Sequence, residues 1–449
     1  MTLGLNLLLL ISIIFVIATV RSRLRRSAKQ LIAAGSAALL AFALGYWPAD
    51  RAFGALRGRL LQVAWTTPSE RPATTRAAGV WSDGPRVVRA RFDRLIAYDV
   101  EQQASTWVHE LPARVELCAM SRSTSGGVGL IGYGPAGTTC TTLAAIDLRT
   151  GRTLWTRSLG SRRFSASEGR EADRIEISAR AAVVAGDATV MAFAPRTGRP
   201  LWRWSVPGCT PRAVGNGPGG TVVLSGCGAR GFTVSVLNPR TGRPLRRTAV
   251  TDAPEGQVRS AELVSAHPLL VKIGESGERG REVLHTFDET GRPRAAIPFD
   301  DQDGKIELEE HPGDFPLRPV RRFAVHGDTL LLVAEGDDHR TSDALVAYSP
   351  TTGERKWSRP QKRLAIKWIR LTGDRIEAPV SSSTGRHLRV RNFSLTGAKI
   401  GGDLTNDDQD IFFYSGALEP VTVGEFLVVV RADATKRYGG GPITALRPK

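Results

Sequence analysis

The sequence predicts an all-β fold, a β-propeller of four-stranded blades, preceded by two N-terminal transmembrane helices. Three observations predict the propeller. A short apolar alternation followed by Thr-Gly, often with Trp four residues after the Gly, recurs along the chain. Its glycines, Gly151, Gly198, Gly242, Gly291, Gly353 and Gly397, follow at steps of 47, 44, 49, 62 and 44 residues. A period in the forties built from strand-like pieces is the signature of propeller blades. The third observation is turn chemistry. An Asp, Asn or Ser side chain bonds back to the turn, and Gly supplies the positive φ that closes a short hairpin.

The clear copies are Leu143 to Trp155, Val190 to Trp202 and Thr233 to Leu245; weaker ones are Leu284 to Gly291, Leu345 to Trp357 and Val390 to Gly397. The period-2 alternation in Leu143 to Asp147 fits a strand buried between neighbouring blades. Trp107, Trp155, Trp202 and Trp357 open the following strand, where a flat ring packs in the wedge between blades. Leu95 to Trp107 is a further copy with Gln103 in place of the Gly, and Pro442 to Lys449 reproduces a third strand and stops. Eight such strands favour eight blades, with seven as the alternative. The last blade then needs an outer strand from a segment before Leu95, around Val80-Trp81, which closes the ring and removes its exposed edges.

This pattern resembles the PQQ-like β-propeller repeat family from about Val80 to the C-terminus. The resemblance implies the propeller fold and little about activity. The repeat occurs in quinoprotein alcohol dehydrogenases, in the propeller lipoprotein of outer-membrane assembly and in many bacterial surface proteins. Quinoprotein dehydrogenases bring an adjacent cysteine pair, a Glu and Asn on calcium and an Asp base. No two cysteines are adjacent here, and no motif assigns a calcium ligand or a catalytic Asp. Gln103, Arg246, Ala295 and Gly401 mark places where the repeat has lost its Gly or Trp.

Ahead of the propeller, Thr2 to Val20 is a 19-residue apolar run broken by Asn6 and Ser12, and Leu31 to Trp47 is a second run of 17. Both approach the length of a membrane-crossing helix. Between them Arg21 to Lys29 carries five positive charges and no acid. The positive-inside rule puts that loop in the cytoplasm and the propeller on the extracytoplasmic side of a bacterial plasma membrane. In the rival reading, Leu31 to Leu44 is the apolar core of a signal peptide; either way the propeller is exported. Residues 48–79 read as a linker. In it Arg51 to Trp65 has helix-like apolar spacing, suited to a membrane surface or to extending the second helix, and Thr66 to Thr75 reads as a polar tether.

The four cysteines fall as two local pairs. An even count in an exported chain argues for disulfides, and locality favours Cys118–Cys140 and Cys209–Cys227 over free buried thiols. The net charge of +17 comes mainly from Arg. It suits an anionic partner such as lipid headgroups, a wall polymer or an acidic protein, or it is a solvated surface; nucleic acid does not fit an exported domain.

Motifs for chemistry are few. The acidic run Asp300 to Glu310 falls in the 62-residue step and has the wrong spacing for an EF-hand; it reads as a solvated connection, with calcium or a partner as the alternative. The seven histidines are scattered without metal-ligand spacing. Gly215 to Gly220 reads as a hairpin turn rather than a phosphate loop. The sequence therefore predicts a membrane-anchored, non-catalytic binding or scaffold module for a protein or cell-envelope polymer, with no catalytic, cofactor or metal residues assigned. The alternative is a PQQ- and calcium-dependent oxidoreductase.

Overall fold

The computed structural model describes residues 61–448 apart from 69, 71–76, 137–138, 161–173, 251–257, 276–279, 311–319, 337–342, 362–363, 382–387, 406–419 and 432–440. The chain divides into two compact units, Met1–Gly58 and Arg59–Lys449, and every described residue belongs to the second. Both apolar runs assigned to transmembrane helices, Thr2 to Val20 and Leu31 to Trp47, lie outside the described residues. Among the described residues no helix is long and apolar enough to cross a membrane.

Eight principal antiparallel sheets form eight blades. Blades 1 to 5 span 77–110, 115–158, 175–204, 210–250 and 258–298, blades 6 and 7 span 300–360 and 365–405, and blade 8 combines 421–448 with Leu61–Thr66. Within a blade the middle strands are the most apolar because they face a neighbouring blade on each side. In blade 3, Ala182–Ala185 and Val190–Phe193 are buried at every position. Outer strands are wetted and alternate, as in Ala104–Glu110 of blade 1. Cores such as Leu143, Ala145, Ile175, Val184 and Met191 lie between blades 2 and 3. Each sheet therefore buries both faces without closing into a barrel.

An early segment does complete the last blade, but it is Leu61–Thr66, which pairs antiparallel with Ile443–Pro448. Val80 and Trp81 instead lie in Ala77–Asp83, the inner strand of blade 1. The segment is a strand rather than the helix its spacing suggested: Leu61 and Val63 share the face toward blade 7, and a bulge between Val63 and Trp65 turns Trp65 toward blade 1. The polar stretch that follows is anchored at its start. Thr67 is buried, and its backbone N–H donates to Ile443 O at 3.0 Å.

The long step before Gly353 has a specific origin. The inner strand of blade 6 is split into Gly304–Glu307 and Phe323–His326, both paired with Thr329–Glu335. An excursion leaves between them, with Glu309–Glu310 pairing Val320–Arg321.

Candidate functional site

The Thr-Gly turns carry a repeated latch. In blade 2 the Asp147 carboxylate accepts from the backbone N–H groups of Arg149 and Thr150, each at 3.0 Å, which shapes the turn. Gly151 then lies so close to the ring of Trp107, from the preceding blade, that a Cβ there would stand 2.5 Å from it. Gly198 meets Trp155, Gly242 meets Trp202 and Gly397 meets Trp357 in the same way. Each indole N–H also donates into the next blade's turn, to the carbonyls of Leu148, Pro195, Pro239 and Leu395 at 2.8 to 3.1 Å. Two residues after the Trp a second donor recurs. Arg157 donates to Gly198 O at 3.0 Å and Arg359 to Gly397 O at 2.7 Å. His109 bonds to the Gly151 backbone, while burial holds its pKa below the ordinary histidine value.

Where the Trp is missing, other groups substitute. Gly291 faces Val236 and Arg246, with Thr248 donating to its carbonyl at 2.6 Å. Gly353 faces Ala295 and Ala296, and Pro350 O accepts instead from the Thr286 hydroxyl at 2.6 Å. The rings thus fill the inter-blade wedge by reaching the next blade's turn, a pairing the repeat alone did not indicate.

Two ionic clusters brace the ring, and the sequence pattern pointed to neither. At the closure, Glu70 accepts from Arg89, from Arg91 at 3.1 Å and from the Tyr98 hydroxyl at 3.2 Å. Arg89 and Arg91 are nearly inaccessible, at 0% and 1% exposure, and carboxylates offset their buried charge, Glu70 for both and Asp93 at 2.9 Å for Arg91 as well. Burial and the Glu70 charge push the Tyr98 phenol well above its ordinary pKa. Across the axis, Arg122 of blade 2 donates to Glu309 of the blade 6 excursion at 3.1 Å. Blades 2 and 6 are opposite in a ring of eight. The excursion continues through Val320, which joins a core with Trp368, Leu388, Leu427 and Leu446. At its base Arg322 donates to Asp343 at 2.6 Å and Ile366 O at 2.9 Å, tying blade 6 to blade 7.

The disulfides are Cys118–Cys140 and Cys209–Cys227. Cys118 lies in the inner strand of blade 2 and Cys209 just before that of blade 4, and each is tied to the region following the second strand of its blade. Asp300 and Asp301 pair with Lys305 and Gly304 in a tight hairpin, and Asp303 accepts from Arg355 at 3.0 Å. Two further acidic stretches of the sequence, 337–338 and 407–410, lie outside the described residues.

A pocket of about 490 Å³ opens on the face formed by the Thr-Gly turns and the hairpins between first and second strands, at blades 4 to 6. Gly217 to Gly220 form one wall as the turn joining Thr210–Gly217 to Gly220–Gly226, so this stretch is a hairpin. Asp288 and Asp328 provide charge. The Thr351 hydroxyl, helped by Ser349 and Lys356, holds Asp328 below the usual aspartate range. Burial would raise Asp288, but bonds from Thr290 and the Arg292 backbone outweigh it and keep its pKa low. Among the described residues no group of three His, Cys, Asp or Glu side chains is placed to hold a metal ion.

The blade count, the latched turns and the closed ring define a propeller of PQQ-like repeats. The family profile described as outer membrane protein assembly factor BamB matches residues 119–275 and 186–435, well over half of the chain, and the protein belongs to that family. No curated protein matches. Among solved structures, the computationally designed Ika8 protein aligns with a TM-score of 0.51 at 13% identity, covering 86% of this chain and 99% of that one. BamB from Moraxella catarrhalis aligns at 0.48 and 17% identity, covering 86% and 98%. The quinohemoprotein alcohol dehydrogenase of Comamonas testosteroni aligns at 0.47 and 13%, covering 86% and 76%. At these identities the likeness is one of fold.

Proposed function

We propose that this protein is a non-catalytic binding scaffold, held in a bacterial plasma membrane by its N-terminal segment with the propeller on the extracytoplasmic side. The observation that carries the reading is the braced ring. With its closure clamped by Glu70 and its axis crossed by Arg122–Glu309, the propeller offers its turns and loops as the working surface, and loops on a rigid frame carry recognition. Two disulfides suit an oxidising compartment. The family's descriptor names an assembly factor for outer membrane proteins, which favours a protein as partner.

The quinone alternative fits the residues poorly. Its adjacent cysteine pair is replaced by two bridges across 22 and 18 residues. The axis is spanned by the Arg122–Glu309 ion pair. The test joins two measurements on the full chain. Photo-crosslinking in membranes is expected to capture a reproducible protein partner, and titration with PQQ plus calcium is expected to show no saturable binding. Stoichiometric quinone binding would sink the scaffold reading.

A further inference from the structure

An Arg-rich chain invites the view that arginine simply coats it, but the turns argue otherwise. In each Thr-Gly turn two comparable positions stand out, the residue before the Thr and the residue after the Gly. In blades 2, 3 and 4 both are exposed arginines: Arg149 and Arg152, Arg196 and Arg199, Arg240 and Arg243. The same positions hold Glu101 and Ala104 in blade 1 and Glu289 and Arg292 in blade 5. They hold Thr351 and Glu354 in blade 6, and Leu395 and Ala398 in blade 7. Six positive charges therefore fill three adjacent blades, and acids stand on both flanks. Blade 5 keeps a single arginine, Arg292, beside Glu289, so it is the paired arrangement that ends at the blade boundary, which a compositional coat would not do.

Five of these six guanidiniums are also uncommitted. Arg196 donates to Gly126 O at 2.5 Å and lies 3.9 Å from Asp147. The side chains of the other five have no partner among the described residues. Their turns are the ones on which Trp107, Trp155 and Trp202 stack, so the charges are displayed from fixed backbone, which reduces the ordering cost of binding.

The geometry points to a docking surface on the Thr-Gly turns of blades 2 to 4 for an acidic segment of a protein partner. This deepens, and rests on, the scaffold reading. Guanidinium forks pair with carboxylates in bidentate fashion, and three stations suit an extended segment. A flat anionic bilayer fits less well, because it would meet Glu101 and Glu289 on either side. A uniform phosphate polymer fits less well too. The arc ends at the pocket where Asp288 and Asp328 stand beside Arg294, so the run of one sign stops there and a protein segment of mixed charge matches it better than a uniform polymer.

The test uses the full chain and three probes: a fluorescent octaglutamate peptide, polyphosphate and phosphatidylglycerol vesicles. Salt-sensitive peptide binding is expected, weakened at least tenfold by R149E/R152E/R240E/R243E. It should change less than twofold in R203E/R247E/R389E/R447E, which alters exposed strand arginines by the same charge. Equal losses in both variants would reduce the effect to net charge and overturn the proposal, as would tighter binding of vesicles or polyphosphate than of peptide. In cells, a photo-crosslinking residue at Thr241 should capture protein, and one at Asp187 in the loop between the middle strands of blade 3 should not. Capture only from Asp187 would leave a scaffold with a different face. Capture of protein from neither position would count against the scaffold itself.

Discussion

Gly198 shows how much one residue decides in this molecule. Its φ of 64° is one that side chains other than Gly rarely adopt, and a Cβ there would stand 2.6 Å from Trp155. Gly198→Ala combines backbone strain with overpacking and should destabilise by about 2–4 kcal/mol. Gly126→Ala shares the positive φ, at 57°, with nothing within 4 Å, and should lose only about 1 kcal/mol. Denaturant melts of both variants separate the terms; equal losses would mean that the Trp contact contributes nothing. At Gln103 the chain tolerates φ 57° without a glycine, so Gln103→Gly should be neutral or stabilising. His109 adds a pH term. Its folded pKa is depressed, so its contribution is full above the ordinary histidine range and is lost as pH falls through the lowered value. His109→Gln should flatten the decline in Tm between pH 8 and pH 5; an unchanged slope would exclude this histidine as the cause.

At the scale of elements, the third strands and their turns were legible because their signals are local: alternation, Thr-Gly and a ring at fixed spacing. The closing strand was not. Leu61, Val63 and Trp65 span only three alternations, and overlapping helical spacing through Leu60 and Val63 competed with them. Only pairing with Ile443–Pro448, more than 370 residues away, selects the strand. The Glu70 clasp is illegible for the same reason, since Arg89 and Arg91 read as ordinary strand arginines until the ring brings the carboxylate to them. Glu70 is the shared acceptor of two buried arginines, of which Arg91 keeps the Asp93 carboxylate at 2.9 Å, so Glu70→Ala should destabilise by about 3–5 kcal/mol, mostly through Arg89. Glu70→Gln should recover part of the loss, because its amide oxygen still accepts a hydrogen bond. Chemical denaturation of the two variants checks the order, and a loss below 1 kcal/mol for Ala would mean that water replaces the carboxylate. The arginine arc was visible in the sequence as turn residues. It became a surface only once the turns of blades 2 to 4 were placed side by side on one face.

For the molecule as a whole, closure is the property on which the other features depend. Leu61 is 5% exposed and packs with Trp368, Leu427 and Leu446, so the outer strand of blade 8 joins the interface with blade 7. Leu61→Asp places a carboxylate in that apolar cluster, where burial without a partner is strongly unfavourable. Stability in a ring of blades passes between neighbours, so damage at the closure should spread from blade 8 rather than appear everywhere at once. Hydrogen exchange read by mass spectrometry should show protection falling first in Phe426–Val430 and Ala77–Asp83, while Gly220–Gly226 of blade 4, on the far side, stays protected. Uniform loss across all blades would indicate a ring that opens as one cooperative unit. Unchanged protection in blade 8 would mean that Leu61–Thr66 is dispensable, and the axial Arg122–Glu309 bridge and its excursion would then have to hold the circle closed.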